Sequence, residues 1–196
     1  MKVSKEQMAE NRERILGAAA QQFRERGFDG IGVADLMKSA GLTHGGFYGH
    51  FASKEDLMAQ ASIHALNRVQ DHWEKFAERE SVQPLAALQA SYLSPQHRDN
   101  PGKGCLMAAL GADAARQTGP VRQAMTDGVR AMVDLIARLT PGRSKAVKRQ
   151  RALAAYASMV GAMVLARAVD DDALSQEILQ ATAASLSLPP PASAAA

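Results

Sequence analysis

Two short apolar stretches meet at Gly41, and that junction restricts the fold more than any other feature of the chain. Upstream, Leu36, Met37 and Ala40 recur at helical spacing in a segment from Val33 to about Ala40. Downstream, Leu42, Phe47 and Phe51 do the same over a segment that Thr43 is placed to cap and that ends near Phe51. A glycine between them permits the positive φ of a tight turn, because it has no Cβ to meet the backbone. Ala40 is small enough for the two pieces to cross, and Leu42 plugs the gap beneath the turn. Two short helices held at a fixed angle in this way are a helix-turn-helix, here spanning about 32–51.

The remainder also reads as helix. Hydrophobic residues make up 46% of the chain but aromatics only 5%. Alanine, leucine and methionine therefore supply most of the apolar surface, and all three are good helix formers. A first helix from about Glu6 to Arg26 carries Ile15, Leu16, Ala19 and Phe23 on one stripe, with Gly27 as its stop. Ser53 caps a helix from Lys54 to about Glu80, with Glu55 and Asp56 in the first turn, where the macrodipole favours acids. Pro84 opens a helix through Tyr92. Ser94–Gly104, with its prolines and glycines, is expected to be loop. Cys105–Gln117, Gly119–Leu139, Ser144–Val169 and Asp170–Leu186 follow as helices, and Leu188–Ala196 as a disordered tail. The expectation is an all-α chain of about nine helices. Residues 1–55 form a three-helix helix-turn-helix domain, 56–187 a larger helical effector-binding and dimerisation domain, and 188–196 the tail.

Several function classes fall away. Cys105 is the single cysteine, so no intrachain disulfide forms, which fits a reducing cytosol. Met1–Asn11 is polar with no apolar run behind it, and no apolar stretch reaches the ~20 residues of a membrane span. A cytoplasmic protein without membrane contact is expected. His64, His72 and His97 show no metal-ligand spacing and read as surface or pocket-lining groups, so no metal or cofactor is expected. Cys105 has no convincing base partner and no glycine-rich phosphate loop follows a strand, which speaks against an enzyme. The net charge of +3 permits an anionic partner without demanding one, and the N-terminal 55 residues are nearly balanced. Any case for DNA must rest on where particular residues sit.

The second piece of the helix-turn-helix carries that case. His44-Gly45-Gly46-Phe47-Tyr48-Gly49-His50 contains three glycines, each costing about 1 kcal/mol against alanine in a helix interior. Core packing gives no reason for them, whereas close approach to a partner backbone does: they let the segment lie deep in a major groove. Thr43, Tyr48 and His50 offer hydroxyl and imidazole groups to phosphates, and Lys54 adds a point charge. Tyr48 and His50 also suit a plain surface, Phe47 and Phe51 suit the core, and the run Arg143, Lys145, Lys148, Arg149, Arg151 suits a solvated face.

Over Asn11–Ala61 the chain resembles the TetR-type (TetR/AcrR) transcriptional regulators. The resemblance rests on AGLTHGGFYGHF, the K-E-D-L after it, and R-I-L-x-A-A-x-x-x-F in the first helix. It implies that Leu42–Phe51 is the recognition helix, that Thr43, Tyr48, His50 and Lys54 contact phosphates, and that His44, Gly45 and Gly46 face bases, with Gly49 in the same segment. The family has Thr or Ser where Gly32 stands. Gly104-Cys105-Leu106-Met107 looks like one branch of the family. The resemblance further implies a homodimer through the Ser144–Leu186 helices, with Ala154, Ala155, Ala157, Ser158, Gly161 and Ala162 suited to close helix approach. Its members are repressors that a small-molecule effector releases from a palindromic site on double-stranded DNA.

Trp73, Phe76, Tyr92, Cys105, Met107, Met125, Met159 and Met163 are the candidates for an effector pocket, and each suits a plain core equally. Cys105 follows a Gly-Lys-Gly loop at a helix start, beside Lys103, features that favour a thiolate. It reads either as an electrophile- or oxidant-sensing thiol or as a buried structural one. Two other classes share parts of this pattern: an enzyme using Cys105 as nucleophile, and a sequence-neutral architectural DNA binder.

Overall fold

The computed structural model describes residues 4–80 and 82–187, so the expected tail at 188–196 lies outside the described residues. Nine α-helices occur among them and no strand: α1 (Lys5–Arg26), α2 (Val33–Ser39), α3 (Lys54–Arg79), α4 (Pro84–Tyr92), α5 (Pro95–Asp99), α6 (Leu106–Ala115), α7 (Gly119–Leu139), α8 (Lys145–Ala168) and α9 (Asp172–Ser187). Two 3-10 turns, His44–Gly49 and Pro101–Lys103, complete the set. No described helix is long and apolar enough to cross a membrane.

Local chemistry sets the helix ends. Ser4, Ser53 and Ser144 each accept a hydrogen bond from the backbone N–H three residues on, which satisfies one of the donors a helix start leaves open. α2 stops in a Schellman arrangement. The Gly41 N–H donates to the Lys38 carbonyl and the Leu42 N–H to the Met37 carbonyl, both at 2.9 Å. Gly41 holds φ at +69°, the left-handed conformation that the turn requires. Arg14 Nη2 donates to the Ala40 carbonyl at 2.8 Å and thereby ties the turn to α1.

Two segments differ from the sequence reading. Ser94–Gly104 is not open loop: Ser94 Oγ accepts from the His97 N–H at 3.2 Å and starts α5. Pro95 and Pro101, read as breakers, each stand at the first position of a helical turn, where the missing N–H has no helical partner to lose. His44–Gly49 is a 3-10 turn rather than an α-helix, with Gly46 N–H on the Thr43 carbonyl and His50 N–H on the Phe47 carbonyl. Three glycines in this stretch withhold the side-chain packing and backbone restriction that favour the α form.

The core divides into two clusters. The first joins Ile15, Phe23, Leu36, Phe47, Phe51 and Leu57 to Leu106 and Leu110 of α6 and Val121 and Met125 of α7. The second gathers Trp73, Leu88, Tyr92, Ile136, Tyr156 and Met159, with Leu179 of α9. α3 runs unbroken through residue 55, the expected domain boundary, and borders both clusters. On α8, Ala155 and Ala162 point into the protein's own core, so they are not part of an open face; helical periodicity sends neighbouring small residues to opposite sides. Ala154, Ala157 and Ser158 are exposed, together with Leu153, Val164 and Leu165 of α8 and Leu174 of α9.

Gly41→Ala is expected to destabilise the protein by about 1–2 kcal/mol, since an L residue is strained at this φ and its Cβ would lie 2.7 Å from Arg14 Nη2. Urea denaturation measures this, and an unchanged midpoint would count against the turn as described.

Candidate functional site

The 3-10 turn presents one face outward and anchors itself by the other. Phe47 and Phe51 are buried, with ring centroids 5.8 Å apart. Tyr48 is 74% exposed, and Thr43, His44, Gly45, Gly46 and Gly49 are exposed as well, while His50 and Lys54 are half-buried. The eight expected contact residues thus share one end of the molecule. Thr43 stands at the N-cap position in extended backbone, but its hydroxyl makes no capping bond. Gly32 likewise starts α2 without a side-chain cap. A Cβ added at Gly45 or Gly49 would meet nothing within 4 Å, and neither residue has a positive φ.

Arg12, which sequence reasoning missed, holds this turn in place. Its guanidinium donates to the His50 carbonyl and to Gln60 Oε1, and it lies 4.6 Å from the Phe51 ring centroid. Gln60 in turn donates to Asp56 Oδ1 at 2.6 Å, and the Ala52 N–H donates to Asp56 Oδ2 at 3.0 Å. These bonds, Gln60 first, hold the Asp56 carboxyl below its ordinary value. The partners of Arg12 lie 38 and 48 residues away along the chain, so no local pattern announces them. Partial burial, then the Arg12 charge, holds His50 below the ordinary imidazole value. At neutral pH it therefore offers a neutral ring, with one N–H donor.

Against known proteins, residues 15–61 match the family model described as "Bacterial regulatory proteins, tetR family". That match runs from the middle of α1 through the Gly41 turn into the start of α3. Over this N-terminal span the chain is similar to the TetR family. It is 36% identical over 86 residues to the transcriptional regulator TtgR of Pseudomonas putida, covering 43% of this chain and 40% of that one. It is 27% identical over 168 residues to the transcriptional repressor NemR of Escherichia coli, covering 81% of this chain and 84% of that one. The chain thus spans about two fifths of the length of the first curated relatives it matches. Reduced E. coli NemR shares the fold, with a TM-score of 0.76 at 24% identity over 91% of this chain and 95% of that one. A TetR-family regulator of Agrobacterium tumefaciens does so with a TM-score of 0.73 at 20% identity, over 91% and 98%.

Behind this TetR-type head lies a cleft of 720 Å³ between α1, α3 and the 91–105 segment. Of the expected pocket residues, Trp73, Tyr92 and Cys105 line it. Phe76, Met159 and Met163 pack in or against the second core cluster and Met125 in the first, while Met107 packs against both. The methionines follow the apolar stripes of their helices, which is why composition alone did not separate core from cleft. His64, His72 and His97 do line the cleft, as do Arg24 and Arg68.

Cys105 is buried, with Sγ 3.8 Å from Tyr156 Oη, whereas Lys103 is exposed on the turn before it. The Cys105 N–H donates to His97 Nε2 at 2.9 Å, and His97 Nδ1 lies 2.6 Å from the Tyr92 carbonyl. A carbonyl only accepts, so Nδ1 carries the proton and His97 is a neutral ring spanning two backbone groups. Burial lowers its pKa in agreement with that role. Burial also pushes the Tyr92 and Tyr156 phenols up, and both remain protonated.

Gly45→Ala is expected to leave thermal stability unchanged or slightly raised, because its Cβ meets open space and alanine restricts the unfolded chain. The same variant should lose at least about tenfold in DNA affinity if a groove fills that space. Melting and gel-shift titrations of one preparation read both effects; a destabilised variant would return the glycine to a structural role.

Proposed function

We propose that the chain is a ligand-responsive DNA-binding repressor of the TetR type, working in the cytoplasm as a homodimer on palindromic double-stranded DNA. The observation that carries this reading is the exposed 3-10 turn whose glycines the fold itself does not need. Gly45 and Gly49 have ordinary φ values and open space beside them. Their small size is explained by the close approach of a partner surface. Thr43, Tyr48, His50 and Lys54 hold phosphates in this reading, and His44, Gly45 and Gly46 lie against base edges. Residues 1–55 are the reading head and 56–187 the effector body.

The dimer is formed through the outward face of α8 and α9. Leu153, Val164, Leu165 and Leu174 are exposed there, with Ala154, Ala157 and Ser158 between them. A Cβ at Gly161 would meet nothing within the chain, which leaves room for a second helix to approach. Twofold pairing along this face sets two reading heads on successive half-sites.

The effector occupies the cleft behind α1. Arg24 Nε donates to the Gly102 carbonyl at 2.8 Å. From the other side, Arg167 of α8 donates to the carbonyls of His97 and Arg98 at 2.7 and 3.0 Å. Arg98 donates to Ser175 Oγ of α9 at 2.9 Å. The 95–105 segment thus ties the reading head to the dimer helices, and a ligand beside it biases one arrangement over another by binding the two unequally. A second reading makes Cys105 the sensor by reaction with an electrophile or oxidant; its support is the thiol's position at the cleft wall. A Cys105→Ala protein that still releases DNA on such treatment removes that reading.

Selection of bound duplexes from a random pool, followed by footprinting, tests the main proposal: one palindrome should survive competitor DNA. Equal affinity for all duplexes would instead favour an architectural DNA binder. Tyr48→Ala should weaken binding to every site by about tenfold to a hundredfold, as expected for loss of a hydrogen bond to a charged group. Lys54→Ala should lower the salt slope by about one. Unchanged affinity and slope would sink the phosphate assignments.

A further inference from the structure

The cleft has a charge pattern that an effector role does not by itself require. Arg24 of α1, Arg68 of α3 and Lys103 of the Pro101–Lys103 turn line it, with His64, His72 and His97. No Asp or Glu is found among the described residues that line it. Two carboxylates stand just outside. Glu13 reaches His64 Nδ1 at 3.5 Å from an exposed position, and Glu25 accepts from the amides of Gln21 and Gln22 at 2.8 and 3.2 Å. The cationic groups feel one another. Burial is the main cause that lowers the pKa of Arg24 and of His64; nearby Glu25 and Glu13 respectively offset part of it, and the Arg68 charge lowers both further. Arg24 Nη1 and His64 Nε2 are also buried without a hydrogen-bond partner. Buried polar groups are ordinarily satisfied, so an orphan on α1 and another on α3, both on residues of this cleft, call for a reason.

A bound anion supplies one. It gives the guanidinium a further acceptor, adds to the charge that Glu25 and Glu13 supply from outside, and favours the imidazolium form of His64, which then has a second N–H to donate. The rest of the wall is apolar or aromatic. Ala20 of α1 and Ala65, Val69 and Trp73 of α3 alternate with the charged positions. From His64 to Trp73 the wall runs about 13 Å at the helical rise of about 1.5 Å per residue. We propose that this cleft takes a small organic carboxylate with an aromatic or aliphatic body, its head held by Arg24, Arg68 and His64 and its body against Val69 and Trp73. The inference rests on the effector reading and gives it a ligand class. Arg24 is also the residue that ties α1 to the Gly102 carbonyl, so the anion acts on the joint between reading head and body.

Trp73 is the single tryptophan of the chain and lines the cleft, so its fluorescence responds to a ligand bound there. The full-length protein is titrated at constant ionic strength with benzoate, phenylacetate and 4-phenylbutyrate, each beside its neutral amide. At least one carboxylate should give a saturable response at least tenfold tighter than its amide. In Arg68→Gln, an exposed position whose change leaves the core untouched, that preference should fall to within threefold, with Arg24→Lys keeping more of it than Arg24→Gln. Amides that bind as tightly as the acids, or no saturable response to any carboxylate, would overturn the anion proposal. A preference that persists in Arg68→Gln would overturn the site. Gel shifts with the same compounds separate the two levels. Carboxylate binding that leaves DNA affinity unchanged supports the anion site and refutes its effector role. Release of DNA by neutral compounds alone keeps the effector role and refutes the anion.

Discussion

The reading head does not close its own core. Ile15, Phe23, Phe28 and Leu36 are completed by Leu106, Leu110 and Ala114 of α6 and by Val121 and Met125 of α7. A segment of some fifty residues buries too little surface to be secure alone, and here the deficit is filled by helices of the body. Head and body therefore share apolar contacts rather than meeting across a linker. Close-packed cores transmit displacement because side chains have little room to absorb it. A change in the position of α6 is thus felt at α1, through the same packing that stabilises the N-terminal helices.

Polar ties extend this coupling sideways. The short helix and turn between Ser94 and Gly104 accept bonds from Arg24 on one flank and Arg167 on the other. Arg98 continues the connection to Ser175, whose hydroxyl donates to the Ala166 carbonyl at 2.6 Å. Every tie except the bond donated by the Ser175 hydroxyl is a guanidinium on a backbone carbonyl or a hydroxyl, a geometry that fixes orientation as well as distance. Gly104 packs so tightly on the His97 ring that a Cβ there would lie 2.6 Å from it. The cleft and its cationic wall sit directly against this belt.

The exposed turn is the locally unfavourable part of the molecule. Three glycines and 3-10 geometry leave it with little intrinsic preference for one shape. Its order comes from below, through Phe47 and Phe51, and from the Arg12 guanidinium that reaches the His50 carbonyl from α1. A surface that must meet another molecule closely can be stripped of side chains when its conformation is imposed by the scaffold beneath it.

Helix content, the breaks at Gly27 and Gly41 and the Ser53 cap were all legible in the sequence. They follow from local rules: periodicity, capping and the conformational freedom of glycine act within a few residues. What the sequence did not disclose depends on residues far apart along the chain. The Arg12 clamp, the sharing of the head's core with α6 and α7, and the order of the 94–104 segment are of this kind. So is the assembly of Arg24, His64 and Arg68 around one cleft. Local sequence determined the two segments that meet at Gly41, the turn between them and, through three glycines, the weak α preference of the second, while tertiary packing decided that the second would be braced by α1. An arginine's partner, a methionine's side of the core and the wall of a cleft are set by which helices cross. That is a property of the whole packed chain, which no single helix carries.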